Sequence, residues 1–495
     1  MNLTEKEFIE LSKDFNLIPL FREIIADLDT PVGAFLKLNR SPSFLLESVQ
    51  GGEKWGRYSI IGIEPVVTIK GNGKNLEIIE RNNRKTHKNS DPLMLLRKLF
   101  KKYKPYITAE LPRFFGGMVG YISYDIVKLY EKVPEVSKPS IDMPDIFFII
   151  PETLLIFDNL KQTIKIVVNA FVEQKDISAY HKAKEKIDEI ISNLKDHKDE
   201  RFRTYLLIPE KKDKIQHQFS SNYRKQDFIE AVKKAKEYVL SGDVVQVVIS
   251  QRFETETNAH PFDIYRILRI INPSPYMFYI DTGDCYLAGS SPEILVRLED
   301  DKIILRPIAG TRPRGQTEEQ DIAFERELLQ DEKEKAEHIM LVDLGRNDVG
   351  RVSEIGTVNV TELMTIERYS HVMHIVSNVE GKLRKGFDMF DVFISCFPAG
   401  TVTGAPKVRA MQIIEELEPT KRGPYAGAIG YFGFGGNMDM CIGIRMLTLK
   451  DNKVFVQAGA GIVADSIPEM EYTETVNKAK AMLKTIDYLH SGGNS

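Results

Sequence analysis

Residues 427–449 read GAIGYFGFGGNMDMCIGIRMLTL. Two apolar, strand-favouring runs flank GGNMD, and so short a connection returns the chain antiparallel, because parallel neighbours need a long crossover. The same composition recurs upstream. Residues 30–170 are mostly β-branched and aromatic runs, VGAFLKL, FFGGMVGYIS, IFFIIPETLLIFD and TIKIVVNAFV, separated by Gly, Pro and Asn, and each is expected as a strand. DPLMLLRKLFKKY is the helix expected among them. Apolar spacing predicts an amphipathic helix over 175–196, with Ile187, Ile190, Ile191 and Leu194 on one side, and another over 226–241, stopped by Gly242. Further strands are expected at 244–254 and 302–310. One long helix is expected from Glu318 to Leu344, and another from near Pro406 to before Pro419. Hairpins mixed with helices that do not alternate with strands predict an α+β architecture with largely antiparallel sheets.

At 495 residues the chain can bury a core for two lobes, or for one large domain with an elaborated N-terminal part. Composition shifts at KDHKDERFRTYLLIPEKKDKIQHQFSSN, which is charged and weakly periodic. The expected division is therefore a region 1–195, a charged linker 196–222 and a second region 223–490. A formal net charge of −4 gives no reason to expect nucleic acid or an anionic membrane as partner. MNLTEKEFIELSKDF is charged and helix-like, without a secretory core, and no apolar run is long enough to span a bilayer. Cys285, Cys396 and Cys441 lie far apart without metal-type spacing, which points to a reducing cytoplasm.

Chemistry concentrates in a few stretches. GAGIVADSIPEMEYTET crowds Asp465, Glu469, Glu471 and Glu474 behind a run of small residues. A helix starting near Pro468 puts Glu471, Glu474 and Lys478 on one face. A solvated acidic helix start accounts for that much. The glycines add a backbone that a ligand can approach closely, and carboxylates beside such amides suit a bridging hard cation such as magnesium. Glu337, in DEKEKAEHIMLVDLGRND, could serve the same ion or pair with surface lysines. In FPAGTVTGAPKVRAMQIIEELEP, Gly400 and Gly404 open a loop in which Thr403 can cap, Pro406 suits the first helical turn, and Thr401 is exposed in an anion cradle. The spacing breaks the nucleotide P-loop pattern, so ATP is rejected. Arg445 sits in the apolar run CIGIRML, where a guanidinium must find a protein or ligand carboxylate. His374 reads first as a satisfied core histidine, which is commoner than a catalytic one, and no Ser-His-Asp or HExxH pattern places it otherwise.

Taken together, GSSPEIL, RPIAGTRPRG, AEHIMLVDLGRND, FPAGTVTGAPK and GAGIVADSIPEMEYTET, in that order, resemble the chorismate-utilising enzymes, and within them the large subunit (component I) of anthranilate synthase. The resemblance covers most of the chain and is densest over 224–485. It implies a sandwich of two stacked, largely antiparallel sheets with helices outside. It further implies Mg²⁺ held by Glu337 and Glu474 with Glu471 close by, and chorismate gripped by Gly459, Ala460, Gly461 and Lys478 at one carboxylate and by Arg445 and Tyr425 at the other. Gly310, Thr311 and Thr401 would line the pocket, Glu293 would be the acid for the departing hydroxyl, and His374 would assist pyruvate elimination. Ammonia would be the nucleophile, delivered by a separate glutamine amidotransferase subunit, since no cysteine here sits in a GxCxGxQ setting.

Within the family, water-adding relatives carry lysine where this chain has Gln246, and aminodeoxychorismate synthases carry lysine where it has Ala309. Anthranilate is therefore the expected product, with aminodeoxychorismate synthesis or a silent tryptophan-sensing subunit as alternatives. Intact Glu293, Glu337, Arg445, Glu474 and Lys478 argue against the silent subunit. LLES and PYM imply a pocket for L-tryptophan as inhibitor, formed by Glu47, Ser48, Pro275, Tyr276 and Met277.

Overall fold

The computed structural model describes residues 1–38, 40–48, 56–81, 83–138, 141–172, 176–195, 218–369 and 372–491. Most of the expected charged linker, 196–217, lies outside the described residues.

Two long strands, Tyr58–Asn72 and Ile146–Asp158, pair antiparallel along nearly their whole length. Their register slips between Pro65 and Val67, and Glu64 adopts a left-handed φ of 56°. Proline cannot donate to the ladder, so the pair bends there and each strand serves two layers. Beyond one arm, Ser43–Glu47 leads through Tyr276–Asp281, Tyr286–Ser291, Met446–Lys450 and Lys453–Ile462 to Gln246–Glu256. Beyond the other, Gly117–Ile122 leads through Ala428–Gly433, Met438–Ile442, Ile294–Glu299 and Lys302–Leu305 to Val372–Lys382. All these pairings are antiparallel, as expected, and strands from before residue 195 and after residue 220 hydrogen-bond to each other in both layers.

Alternation along the strands decides which side chains fill the space between layers. Phe278 and Ile280 pack there with Val119, Tyr121 and Val296. Their neighbours Met277 and Tyr279 turn outward, under Tyr265 of helix Pro261–Ile271, Ile187 of helix Ser178–Lys195 and Met482 of helix Pro468–Ser491. The Phe44 and Phe278 rings lie flat over the glycine opposite them. A Cβ at Gly62 or Gly289 would approach those rings to 2.1 or 1.9 Å, so only glycine fits. The resemblance's sandwich of two layers with helices outside is the observed fold.

Several local expectations are corrected. The strand expected over 302–310 is two, Lys302–Leu305 and Ile308–Pro313. VGAFLKL is no strand: Pro31–Leu38 is a helix, started by Pro31 and by Thr30, whose hydroxyl accepts the Gly33 amide at 3.0 Å. A short apolar run fits either state, and here the start signal decides. The single helix over 318–344 is two, Glu318–Gln330 and Glu332–Gly350, because Asp331 leaves the helical backbone and caps the second by accepting the Lys333 and Glu334 amides. Thr403 does not cap. Its hydroxyl donates back to Ala399 O at 2.9 Å, and Pro406 occupies the N-cap position of helix Lys407–Leu417 rather than its first turn. Arg445 is not inside a strand but in the break between Met438–Ile442 and Met446–Lys450, at a φ of 52°.

Candidate active site

A cleft of about 640 Å³ opens where the ends of strands Gln246–Glu256 and Lys453–Ile462 meet helices Glu332–Gly350 and Pro468–Ser491. Each helix contributes two carboxylates three residues apart, Glu334 with Glu337 and Glu471 with Glu474, so both of each pair reach the same side. Burial, then repulsion from Glu337, raises the pKa of Glu334. Burial also raises that of Glu471, offset in part by Ser466 and reinforced by Glu474. Lys478 relieves the crowding: its ammonium pairs with Glu474 at 2.6 Å and donates to Gly459 O at 3.0 Å. The Gln246 amide donates to Glu337 at 2.9 Å.

Those four carboxylates are an all-oxygen donor set of the kind magnesium takes. That ion is commonly held by one or two carboxylates and completes its shell with water and substrate oxygens. Among the described residues no three His, Cys, Asp or Glu side chains come together as a set that could hold a metal ion by themselves.

Cationic character comes from Arg445, Lys478 and Lys333. Arg445 is the telling one. Its guanidinium has no ion pair or hydrogen bond among the described residues, and burial lowers its pKa against the weaker pull of Tyr425 and Glu474. An arginine held in left-handed backbone with an unmatched charge is a receptor for an anion. Tyr425 lies alongside, its phenol pushed up to about 12 by burial. Opposite run Gly459 and Gly461, where an added Cβ would stand 2.8 Å from the Tyr425 hydroxyl and 2.4 Å from Gln246 Nε2. Strand alternation puts Ala460 the other way, fully buried in the core opposite Ile249, and it does not line the cleft.

The remaining wall is acid–base in character. Glu293 is 8% exposed, and burial pushes its carboxyl up to about 8, with the Thr401 hydroxyl and the Ile308 amide pulling weakly the other way. Thr401 Oγ1 is itself buried, and the Glu293 carboxyl is the group it acts on. Its turn, Gly400–Val402, packs so tightly on Leu344 that a Cβ at Gly400 would come within 1.9 Å of that side chain. Gly310 and Thr311 line the cleft. His374 stands just behind them, its Nδ1 2.8 Å from Gly310 O and 3.1 Å from Thr311 Oγ1. A carbonyl can only accept, so Nδ1 carries the proton, and burial lowers the histidine's pKa. The lowered pKa favours the neutral ring, in which Nε2 is the basic nitrogen.

Of the residues expected at the site, the cleft thus gathers all but Ala460 and His374. Sequence reasoning missed Glu334, Lys333, Gln457 and Ser466, which also line it. Glu334 was findable, since it stands three before Glu337. For Gln457 no local signal exists.

A second cavity, of about 520 Å³, lies between the layers and is lined by Glu47, Ser48, Pro275, Tyr276 and Met277 together with Asp439. Here the side chains diverge. Glu47 turns its carboxylate to Tyr265 Oη at 2.6 Å and Arg269 Nε at 3.0 Å, and Met277, directly opposite in the strand pair, is buried on that same outer side. Both therefore offer backbone to the cavity. Tyr276 donates to Asp439 at 2.9 Å, and Arg297 pairs with Asp439 at 2.6 Å.

Comparison with known proteins accords with this geometry. The family model described as chorismate binding enzyme matches residues 42–484. Anthranilate synthase component 1 of Aquifex aeolicus is 51% identical over 489 residues, 98% of each chain. That of Acetivibrio thermocellus is 50% identical over 96% of this chain and 97% of its own. The crystal structure of anthranilate synthase component I from Streptococcus pneumoniae superposes with a TM-score of 0.78 at 38% identity, covering 93% of this chain and 99% of that one. A menaquinone-specific isochorismate synthase from Escherichia coli shares the fold, with a TM-score of 0.70 at 19% identity over 97% and 98% of the two chains. With a family model matching most of its length and relatives of this closeness along the whole of it, the chain belongs to the chorismate-binding enzymes, in the family of anthranilate synthase component I.

Proposed function

We propose that this chain converts chorismate and ammonia to anthranilate and pyruvate, the step that commits chorismate to tryptophan synthesis. The observation that carries the reading is Arg445, a largely desolvated cation with no ion pair or hydrogen bond among the described residues, in the same cleft as the Glu293 carboxyl, whose pKa burial raises to about 8. Chorismate is a dianion. Arg445 and Tyr425 would take one carboxylate, and Lys478 with the backbone at Gly459 and Gly461 the other. Glu337 and Glu474, with Glu471 beside them, would hold Mg²⁺, which when bound would supply charge neutralisation at that carboxylate.

Ammonia adds at ring carbon 2 while the 4-hydroxyl departs. Hydroxide leaves poorly, and Glu293, holding its proton to about pH 8, donates it to that oxygen. Elimination of pyruvate then requires loss of the ring proton, a step that His374, held behind Gly310 and Thr311, would assist. Gln246 is committed to Glu337 and has no basic nitrogen, so it cannot activate water. Ammonia needs no such base. Its source would be a partner glutamine amidotransferase subunit. The cavity between the layers would hold L-tryptophan, its amino group at the Ser48 end and its indole against Pro275 and Tyr276.

The direct assay is the purified chain with chorismate and Mg²⁺, followed by anthranilate fluorescence. Ammonium salts should support turnover and glutamine should not. A 4-amino-4-deoxychorismate product, or glutamine use by the single chain, would contradict the reading. Glu337→Gln and Glu474→Gln should each lower magnesium-dependent kcat/KM by several kcal/mol of transition-state stabilisation, about 100-fold or more, with the fold unchanged by circular dichroism. Activity close to wild type in either would remove that residue from the ion.

Glu293 gives a prediction in pH. Its folded pKa of about 8 lies above its unfolded value of 4.5, so the native state holds a proton that the unfolded chain releases. The stability this gives is complete below about pH 4.5 and is lost progressively as pH rises to about 8. Glu293→Gln should therefore be more resistant to urea than wild type at pH 8, equal to it near pH 4.5, and devoid of activity. A urea midpoint that does not depend on this residue across that window would deny the raised pKa.

For tryptophan, Ser48→Arg should abolish inhibition and leave uninhibited turnover within about twofold, since Ser48 lies in the second cavity and not in the cleft. Unchanged inhibition would place the effector elsewhere.

A further inference from the structure

Beneath the cleft lies a buried ion pair that the reaction itself does not use. Arg422 and Glu418 are 2% and 5% exposed, and meet through Arg422 Nε and Nη2 at 2.9 and 2.6 Å. The guanidinium spends its remaining donors on two carbonyls: Nη1 reaches Val402 O at 2.7 Å and Nη2 reaches Val248 O at 2.8 Å. Its plane is flanked by Tyr124 and Tyr425, whose ring centroids lie 4.7 and 5.7 Å away. Glu418 extends the network. Its Oε1 accepts both the amide and the hydroxyl of Ser250 at 2.8 Å, and Ser250 Oγ accepts Gln457 Nε2 at 2.8 Å.

Each branch ends in a different wall of the cleft. Val402 follows Thr401 in its turn. Val248 is two residues from Gln246 on the same strand. Tyr425 flanks Arg445, and Gln457 is two residues before Gly459. These walls come from segments far apart in sequence, and no single strand pairing ties all of them. A guanidinium suits the task because its planar fork can grip a carboxylate and two carbonyls at once, whereas an ammonium offers one point of charge. Burying an ion pair confers little net stability compared with packing apolar side chains, so stability alone is a weak reason for this one.

We infer that Arg422, braced by Glu418, is a positioning residue: it fixes the Thr401 turn, the Gln246 strand and Tyr425 relative to one another, and so sets the geometry in which substrate meets Glu293. This rests on the functional reading above. Arg422 touches no reacting atom. Its removal should therefore act on the chemical step more than on binding, because an error of about 1 Å in placement costs on the order of 100-fold in rate.

The test is Arg422→Lys in the full chain, with Glu418→Gln as the milder companion. For Arg422→Lys, kcat with ammonium should fall about 30- to 100-fold while KM for chorismate stays within about threefold. For Glu418→Gln, a fall of about 10-fold is expected. Hydrogen–deuterium exchange, read without any substrate, should quicken about 10-fold or more in peptides covering 399–405 and 425–430. It should be unchanged in the outer-layer strand Thr163–Phe171. A folded Arg422→Lys chain with wild-type kcat, or with exchange quickened evenly throughout, overturns the inference. If neither variant folds, the pair serves the fold and the inference is likewise overturned. Should the wild type make no anthranilate, the functional reading fails, and the exchange pattern still decides whether Arg422 fixes these walls.

Discussion

The bent pair Tyr58–Asn72 and Ile146–Asp158 is the constraint on which the other placements depend. Glu64 in left-handed backbone and Pro65 without a donor interrupt one ladder at one point, and the pair passes from one layer into the other there. From that junction the layers diverge and then stack, with Phe278, Ile280, Val119 and Tyr121 filling the gap. Both cavities inherit their location from it. The smaller lies in the gap itself, and the cleft lies where the ends of the far strands meet two helices. A residue such as Ser48 can therefore be remote from the cleft and still sit within the same sandwich as Glu293.

Within the cleft, charge is arranged by sharing. Glu337 is held by an amide, Glu474 by an ammonium, and Glu334 and Glu471 remain partly buried with raised pKa values. Arg445 has the opposite excess, a cation with no ion pair or hydrogen bond among the described residues and only the weaker pull of Tyr425 and Glu474. Anions and cations that could neutralise one another are kept apart by the backbone carrying them. Arg445 is fixed by its strand break and the carboxylates by two helix faces. A ligand bearing negative charge, together with a cation, would satisfy both sets. That is the physical content of a binding site: matched charges prevented from meeting.

The hydrogen-bond pattern also explains why one glycine run is indispensable and its middle residue is not a cleft residue. Gly459 and Gly461 face the Tyr425 hydroxyl and the Gln246 amide, with no room for a methyl group. Ala460, one step along, turns into the core with Ile249 and Ile462. A period of two imposed on three small residues gives two contacts with the site and one with the interior.

How much of this was legible follows from the range of the interactions. The hairpin around GGNMD, the helix face carrying Glu471, Glu474 and Lys478, and the antiparallel character of the sheets are set by neighbours within a few residues, so the sequence alone determines them. The ordered motifs carried the family and most of the cleft. What depended on partners far along the chain was not legible. VGAFLKL is the exception, a misreading of periodicity alone, since the Thr30 and Pro31 start signal for its helix stands in the sequence. Arg445 read as a strand residue because its run is apolar, yet a left-handed φ of 52° sets it in a break between two strands. Glu47 looked like a wall of the second cavity, yet Tyr265 and Arg269, more than two hundred residues away, turn its carboxylate out of it. Arg422 gave no signal at all, because its meaning lies in Val248, Val402 and Tyr425 converging on one guanidinium. Local chemistry selects conformations and motifs. Only the closed tertiary structure decides which of those charges are satisfied, because a buried polar group takes whatever partner the packing brings to it.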